Sequence, residues 1–261
     1  MMTTVKIAWR NIWRTPLRSL IVIGSIVLGI WAGIFVIAFC YGLNSQRTVN
    51  RIKSAVSHIQ IHNPDYEKDF DSKFTIEDPI SLENIFESYP EIKSYTLRSL
   101  QLGMISSPIK SNGVQIIGVN KEQEKEVTNL YTNLTEGSYF ETKRKNAILI
   151  GEILAKKLNV RLRSKVVLTF QDNENNIISG AFRVCGIFKT QFSKYDESHV
   201  FIQNSDLHRL MQSEGYHQAA LLCQSIEQVE SVSSQLNIQL KHLNIKDWKK
   251  IAPELAYADE V

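Results

Sequence analysis

The sequence predicts an α+β protein with a single N-terminal transmembrane helix, followed by a large region of strands and helices outside the membrane. Residues 20–43 form a run of 24 residues without a charged side chain. At about 1.5 Å per residue, a helix of this length exceeds a hydrocarbon core of roughly 30 Å. Beyond it, segments of alternating apolar residues are interspersed with segments at helical spacing. Since a single hairpin is not stable alone, these strands and helices are expected to cover one another.

Charge is distributed unevenly along the 261 residues. The charged side chains before residue 44 are four basic ones, so the formal net charge of +3 leaves −1 for the remainder. A nucleic-acid surface is expected to carry a basic patch or stripe. The near-neutral remainder therefore predicts no nucleic-acid partner.

Residues 1–15 are expected to form an amphipathic helix in the cytoplasmic interface of the membrane. The basic residues recur every four positions, which places them on one polar face, and indole rings lie opposite. Indoles at the headgroup level and cations near anionic lipid are typical of such helices. The alternative is a solvated start to one long span. Six residues are predicted to contact membrane lipid here: Lys6, Trp9, Arg10, Trp13, Arg14 and Arg18.

The transmembrane helix is assigned to residues 16–44. Pro16 disfavours helical geometry in the residue before it but fits a first helical position, with Thr15 as the N-cap. An elbow is therefore predicted at Thr15. The uncharged run is longer than the roughly 7–15 apolar residues of a cleavable signal peptide. The positive-inside rule places the N-terminus in the cytoplasm.

Ser25, Gly29 and Gly33 recur every four residues within the span and share one face of the helix. Small side chains on one face permit the close approach of a second helix. The sequence therefore predicts a helix-packing face, with chance spacing as the alternative because glycine is common in membrane helices.

The region after the span is predicted to begin with a polar extension of the helix and a strand at residues 56–63. His58 and His62 on this strand would lie roughly 13 Å apart, too far to share one metal ion. The next predicted elements are a helix at 81–88, strands at 92–105 and 114–119, and a turn at the SNG sequence of residues 111–113.

The character of the sequence changes from residue 120. The charged segment at 121–127 is interpreted as a solvated face rather than a site. A strand followed by a helix occurs near both ends of the outer region, which predicts that the chain returns to its first domain. Trp248 is interpreted as marking an approach to the membrane. The remaining predicted elements are a loop at 135–140, a helix at 152–158, strands at 166–170, 177–188 and 198–202, a helix at 205–213, a strand at 219–225 and a helix at 226–236.

Motifs for common catalytic sites are absent from the sequence. It contains no GxxxxGK[ST] phosphate loop, no HExxH zinc motif and no GxSxG nucleophile motif. The sequence therefore predicts no enzyme, no cofactor and no metal site. Cys185 and Cys223 are interpreted as buried small hydrophobic residues, with a disulfide as the alternative.

Several of these segments together resemble the permease subunits of the MacB, LolC/LolE and FtsX-like group of ABC transporters. The match covers essentially the whole chain, and its specificity lies in the order and spacing of the segments. They are AWRNIWRTPLRS at 8–19, SHIQIHNPDY at 57–66, VQIIGVN at 114–120, TEGSYF at 135–140, AILIGEILAKKLNVRLRSKVVLTF at 147–170, FRVCGIFKT at 182–190 and YDESHVFI at 195–202.

The resemblance implies an extracytoplasmic, porter-like α/β domain with an inserted β-rich subdomain, called Sabre in relatives. On this basis the porter-like domain is placed at residues 45–120 and 212–261, and the inserted subdomain at 121–211. It also implies the inner membrane, with the bulk of the chain periplasmic. Relatives often carry glycine in the turn where this chain has Arg163 and Ser164, which makes a positive-φ turn less expected there.

The function implied by the resemblance is the N-terminal part of a permease subunit. Such a subunit couples ATP hydrolysis by a partner in the cytoplasm to substrate export or lipoprotein release outside. The implied partners are a separate ABC ATPase, a second permease subunit in a homo- or heterodimer, and a periplasmic lipoprotein carrier or export partner. Relatives continue into three more spans, so the chain is expected to be a fragment or a split gene. The alternative function is a single-span, membrane-anchored binding or sensor module.

Overall fold

The computed structural model of the chain describes residues 7, 9–10, 13–141 and 145–253. Both helices and strands are present, which confirms the predicted α+β class. The chain divides into two compact units, Met1–Thr48 and Val49–Val261. The first contains most of the apolar helix, and the second contains all of the described strands.

Helix α1 runs from Pro16 to Arg51. Thr15 lies in a bend just before it, and its carbonyl accepts a hydrogen bond from the Ser19 N–H at 3.1 Å. The helix begins at the proline because the ring fixes a helical φ and leaves no N–H that needs an acceptor. The elbow predicted at Thr15 is confirmed. Among the described residues, one helical stretch is long and apolar enough to span a membrane, Pro16–Asn44.

The second unit, residues 49–253 of the described chain, is called the outer region below. It begins with a π-helix at Ile52–Val56, whose two terminal residues are buried. Strands and short helices then alternate. In chain order they are β1 Ile59–His62, α2 Tyr66–Asp69, α3 Pro79–Glu87, β2 Ile92–Ser106, β3 Ser111–Val119, α4 Lys121–Val127, β4 Leu134–Gly137, β5 Ala147–Gly151, α5 Glu152–Leu158, β6 Lys165–Gln171, β7 Ile177–Phe188, α6 Ser193–Ser198, β8 His199–Gln203, α7 Asn204–Met211, β9 Gln218–Cys223, α8 Val229–Gln239, β10 Asn244–Asp247 and α9 Trp248–Ile251.

Strands from both ends of the outer region form one antiparallel sheet in the order β10-β1-β9-β2, called the first sheet. In the chain, α3 lies between β1 and β2, and α8 lies between β9 and β10. This is the split β-α-β arrangement of ferredoxin-like folds. The predicted return of the chain to its first domain is confirmed, because β9 pairs with both β1 and β2.

The core against the first sheet contains the side chains of the π-helix and of helices α3, α8 and α9. Trp248 is 2% exposed in this core, so its interpretation as a membrane-approaching residue was wrong. Its indole is covered by protein rather than by lipid. Members of this core include Ile52, Ile59, Ile61, Phe86, Leu221, Leu236 and Trp248.

The other long strands close into a barrel in the order β2-β3-β8-β5-β7-β6, with β6 pairing back to β2. Pairs β3–β8 and β5–β7 are parallel, and the others are antiparallel. Along β6, Val166, Leu168 and Phe170 are buried while Lys165 and Gln171 are exposed. This alternation directs every second side chain of the strand into the interior of a small barrel. β-branched and aromatic residues such as Val166 and Phe170 favour the strand conformation. The strands predicted at 166–170 and 177–188 are confirmed.

Strand β2 belongs to both sheets. Residues 92–98 pair with β9 in the first sheet, and residues 99–106 pair with β3 in the barrel. Arg98 is therefore the last residue of one sheet, and Ser99 is the first residue of the other.

Two loop predictions were wrong. The SNG sequence at 111–113 starts strand β3, and the turn lies earlier, at residues 107–110. Ser107 closes that turn, because its N–H donates to the Lys110 carbonyl at 2.8 Å and its hydroxyl accepts from the Lys110 N–H at 3.1 Å. The predicted loop at 135–140 instead begins within β4, which pairs with the end of β7.

The turn before β6 has a positive φ at Arg163, +67°, although the residue is not glycine. The expectation against such a turn was therefore wrong. The turn is held by backbone bonds: the Arg163 N–H donates to the Val184 carbonyl at 2.9 Å, and the Ser164 N–H donates to the Arg161 carbonyl at 3.0 Å. These hydrogen bonds, one of them to the distant Val184, thus impose a conformation that an L-residue adopts at a cost of about 1–2 kcal/mol.

Candidate functional site

The predicted membrane interface lies at the start of the chain. Lys6 is outside the described residues, together with much of the predicted helix at 1–15. The Trp9 and Trp13 rings lie 6.3 Å apart in an edge-to-face arrangement, and the two side chains are 65% and 68% exposed. An exposed indole pair has an apolar body and polar N–H groups, which suits a membrane–water boundary. The basic members of the set, Arg10, Arg14 and Arg18, are helical and exposed.

The apolar part of α1 exposes large hydrophobic side chains around the helix. Ile30, Trp31 and Phe35, near its middle, are 60%, 64% and 56% exposed. A helix that is apolar all round requires lipid or other helices as its surroundings. This exposure agrees with a membrane span and not with the core helix of a water-soluble domain.

The predicted packing face is open. A Cβ atom placed on Gly29 or Gly33 would meet no atom within 4 Å. The Ser25 hydroxyl donates to the Ile21 carbonyl at 2.8 Å, one turn earlier, so it needs no partner from another helix. The three small residues therefore leave open space along one face of the helix, where the Ser25 hydroxyl already has a hydrogen-bond acceptor. The role of this face in packing stays a prediction.

A buried ion pair lies where β2 passes from the first sheet to the barrel. The Arg98 Nε and Nη2 atoms donate to the two carboxylate oxygens of Glu124 at 2.9 and 2.7 Å, and the side chains are 4% and 1% exposed. Arg98 Nη1 donates to Gln218 Oε1 at 2.9 Å, and the Thr128 hydroxyl donates to Glu124 at 3.0 Å. The two charges are thus paired in bidentate geometry and further hydrogen-bonded, which buried charges require.

The Glu124 carboxylate stabilises the charge of the buried Arg98 guanidinium. Burial by itself lowers the pKa of Arg98, but the Glu124 charge and hydrogen bonds outweigh it and raise the pKa overall. Glu124 lies on α4, in the segment interpreted as a solvated face, so that interpretation was wrong for this residue. The pair ties the end of the first sheet to the helix that follows the barrel strand β3.

A cluster of buried rings packs beside the ion pair. His217 accepts a hydrogen bond from the Leu100 N–H through Nδ1 at 3.1 Å and donates through Nε2 to the Ser72 carbonyl at 2.9 Å. His62 donates through Nδ1 to the His217 carbonyl at 2.9 Å. The Tyr66 ring lies 5.7 Å from His62 and 5.3 Å from His217. The His217 ring thus has one donating and one accepting nitrogen, and the His62 ring has one donating nitrogen and packs against Tyr66. Both arrangements suit neutral rings.

Desolvation by burial lowers the pKa of His62 to about 4, and it also lowers the pKa of His217. His58 and His62 are both buried, and His58 Nδ1 accepts from the Cys223 N–H at 2.9 Å. In the part of the chain that the structure describes, no group of three or more His, Cys, Asp or Glu side chains could hold a metal ion.

One serine–histidine contact has the distance of a nucleophile and its base. Ser99 Oγ lies 2.8 Å from His208 Nε2. The serine proton, however, is donated to the Gly215 carbonyl at 2.6 Å, and Ser99 is completely buried. A nucleophile must reach its substrate and give its proton to the base. The contact therefore holds the structure together and does not form a catalytic pair.

The buried ion pair and the ring cluster were not predicted from the sequence. Arg98 is a lone charge within the apolar strand YTLRSLQLG, which is the signal that could have indicated a buried partner. Its partner lies 26 residues away, and His62 and His217 are 155 residues apart. Nothing in the local sequence pairs such residues.

A family model described as the MacB-like periplasmic core domain matches residues 19–238, which is most of the chain. The chain belongs to this MacB-like family. The match begins inside α1 and ends inside α8, so it includes part of the apolar helix, the barrel and most of the first sheet. None of the curated proteins matches the chain.

The fold is similar to the periplasmic region of MacB from Actinobacillus actinomycetemcomitans. Sequence identity is 16%, the TM-score is 0.52, and the alignment covers 79% of this chain and 96% of that one. The extracellular domain of the ABC-type transporter YknZ from Gram-positive bacteria is also 16% identical, with a TM-score of 0.48 and coverage of 73% and 99%. At this identity the similarity to MacB shows the fold alone, and it confirms the porter-like outer region.

The family match makes the chain a MacB-like member of the ABC permeases. MacB-like permeases are components of transporters that work with ATPase partners. The apolar helix followed by a MacB-like periplasmic domain makes this chain a membrane-anchored extracytoplasmic domain.

Proposed function

We propose that this chain is the anchored outer part of a permease subunit, which transmits movement driven by a cytoplasmic ATPase to a substrate outside the membrane. The work done there is substrate export or lipoprotein release. The observation that carries the proposal is the extent of the family match, residues 19–238. A single family model covers both part of the apolar helix and most of the outer region.

The proposed location is the inner membrane, with the N-terminus in the cytoplasm and residues beyond 44 in the periplasm. Support comes from the basic residues before the span and from their exposed guanidinium groups at Arg10, Arg14 and Arg18. Lys6, Trp9 and Trp13 complete the proposed contact with membrane lipid.

The energy source in this proposal is a partner, because the sequence has no GxxxxGK[ST] motif. A separate ABC ATPase supplies hydrolysis, and a second permease subunit, identical or different, packs against Ser25, Gly29 and Gly33. A periplasmic carrier or export partner accepts the substrate. Helix α1 continues to Arg51, and the π-helix after it buries Ile52 and Val56 in the core of the outer region. Movement of this helix therefore has a packed path into that core.

The outer region is proposed to work as two parts, 45–120 with 212–261, and 121–211 as the inserted β-rich part. Support comes from the first sheet, whose residues all lie in the first part, whereas the barrel combines β2 and β3 of the first part with β5 to β8 of the inserted part. The continuous strand β2 and the Arg98–Glu124 pair would then couple the two parts.

The test is affinity purification of the protein, expressed from its own gene in its native membrane, after gentle solubilisation. We expect a phosphate-loop ATPase to copurify in a stable ratio, and a transport defect when that ATPase is made inactive. A protein that purifies without any ATPase and functions when ATP hydrolysis is blocked would instead support the anchored sensor module.

The packing face is tested separately by Gly29→Ile and Gly33→Ile. The added side chains fit on the open helix but prevent close approach of a second one. We expect weaker association between permease subunits in detergent. Ile26→Leu, at an exposed position in the same span, is the control and should not change it.

A further inference from the structure

A groove of about 630 Å³ on the outer face of the barrel is lined by exposed apolar side chains. Leu102 and Met104 on β2 are 51% and 48% exposed, Ile177 at the start of β7 is 74% exposed, and Phe70 at the end of α2 is 50% exposed. Single exposed apolar residues are ordinary on protein surfaces, but a contiguous group in one groove marks an interaction site.

The strand register places these side chains on one face of the sheet. Met104 is paired with Gly113 on β3 and with Thr169 on β6, and Ile177 is paired with Gln171 on β6. Gly113 lines the groove, and a Cβ atom there would meet no atom within 4 Å. The floor of the groove is therefore a sheet surface with open space above a glycine.

The ionisable side chains that line the groove are acidic, and one of them, Asp71, also pairs with the Lys73 ammonium at 3.0 Å. The ionisable residues that line it are Asp69, Asp71 and Asp172. Burial by itself raises the pKa of Asp172, but hydrogen bonds from Asn176 and from the Glu174 N–H lower it overall. The backbone N–H and the side-chain ammonium of Lys73 lower the pKa of Asp71. These two carboxyl groups are therefore ionised at neutral pH.

We propose that this groove binds a basic segment of a partner protein, one that carries apolar side chains into the groove and lysine or arginine toward the aspartates. The acidic rim selects the occupant. An anionic lipid headgroup would be repelled, and a second copy of this chain in a symmetric contact would bring the same aspartates against each other. The proposal stands on the groove itself and does not depend on coupling to an ATPase.

The binding test uses the whole chain in nanodiscs of zwitterionic phosphatidylcholine. The probe is a fluorescent peptide in which leucine and lysine alternate, so that an extended chain has one apolar and one basic face. A peptide with glutamate in place of lysine is the matched probe, and empty nanodiscs give the lipid background. We expect binding of the lysine peptide that weakens as salt is added, and no binding of the glutamate peptide.

Two matched isoleucines separate the groove from general hydrophobicity. Ile177 is 74% exposed in the groove, and Ile109 is 68% exposed at the β2–β3 turn outside it. We expect Ile177→Ser to weaken binding of the lysine peptide by about tenfold, because it removes an apolar side chain that the bound peptide would bury. We expect Ile109→Ser to leave binding unchanged.

Gly113→Trp places its Cβ atom in open space and its indole in the groove, and we expect it to abolish binding while circular dichroism stays unchanged. Several results would overturn the proposal. These are equal binding of both peptides, equal effects of the two isoleucine variants, or full binding by Gly113→Trp. Self-association of the chain that Gly113→Trp abolishes would instead assign the groove to a second copy.

Discussion

The membrane helix and the outer region satisfy their polar groups in opposite ways. In the span, Ser25 bonds to a carbonyl four residues away, and the helix backbone bonds within itself. In the outer region, Arg98 bonds to residues 26 and 120 positions away, and His62 bonds to a carbonyl 155 positions away. The span is therefore determined locally, and the outer region is determined by contacts that form only in the folded chain.

The largest expected effect comes from breaking a long-range contact. Glu124→Ala leaves the Arg98 guanidinium buried without its counter-charge and is expected to lower the free energy of unfolding by about 3–5 kcal/mol. Glu126→Ala, an exposed glutamate on the same helix, should change it by less than about 0.5 kcal/mol. Urea unfolding followed by tryptophan fluorescence in detergent measures both.

The double variant Arg98→Met, Glu124→Leu sharpens this test. Removing both side chains leaves no unpaired charge in the core, so we expect the double variant to be more stable than Glu124→Ala by at least about 2 kcal/mol. If the double variant is as unstable as the single one, the loss is due to packing rather than charge.

The next effect is a dependence on pH. The unfolded chain protonates its histidines near pH 6.5, whereas burial lowers the pKa of His62 and of His199 to about 4 in the folded state. Between these values the unfolded state binds more protons, so stability falls as pH falls from about 6.5 to 4. His62 alone accounts for roughly 3 kcal/mol at the acid end. We expect His62→Gln to reduce the slope of the free energy of unfolding against pH. A slope equal to that of the unsubstituted protein would show that His62 does not cause it.

A third comparison uses two isoleucines with similar exposure in different surroundings. Ile30 in the span is 60% exposed, and Ile238 on α8 is 71% exposed. Ile30→Arg is expected to disfavour membrane insertion by about 2.5–3.5 kcal/mol, because the position faces hydrocarbon. Ile238→Arg faces water and should change stability by less than about 0.5 kcal/mol. The fraction of chain resistant to carbonate extraction checks the first, and urea unfolding checks the second.

The smallest effect concerns the turn before β6. Arg163→Gly relieves the cost of a positive φ and is expected to stabilise the outer region by about 0.5–1 kcal/mol. Arg161→Gly, two residues earlier and without a positive φ, should instead destabilise it slightly. If both variants stabilise the outer region, the effect of Arg163→Gly does not come from the backbone conformation of Arg163.

What the sequence could predict follows the same division. The span, the elbow at Thr15 and most strands were predictable, because charge, proline and apolar alternation act within a few residues. The positive φ at Arg163 and the burial of Glu124 were not, because the Val184 carbonyl and the Arg98 guanidinium cause them from distant parts of the chain. The turn at 107–110 was missed because Ser107 caps it with its side chain, while the SNG sequence has the usual turn residues.

Cysteine accessibility tests most directly the central claim, that the apolar helix crosses the membrane and the folded region lies outside it. The native cysteines Cys40, Cys185 and Cys223 are replaced by alanine, and single cysteines are introduced as Ile7→Cys or Ile238→Cys, both at exposed positions. A membrane-impermeant maleimide is added to cells with a permeabilised outer membrane. We expect labelling at position 238 and none at position 7 until the cells are lysed. Labelling at position 7 before the cells are lysed, or none at position 238, would contradict the account.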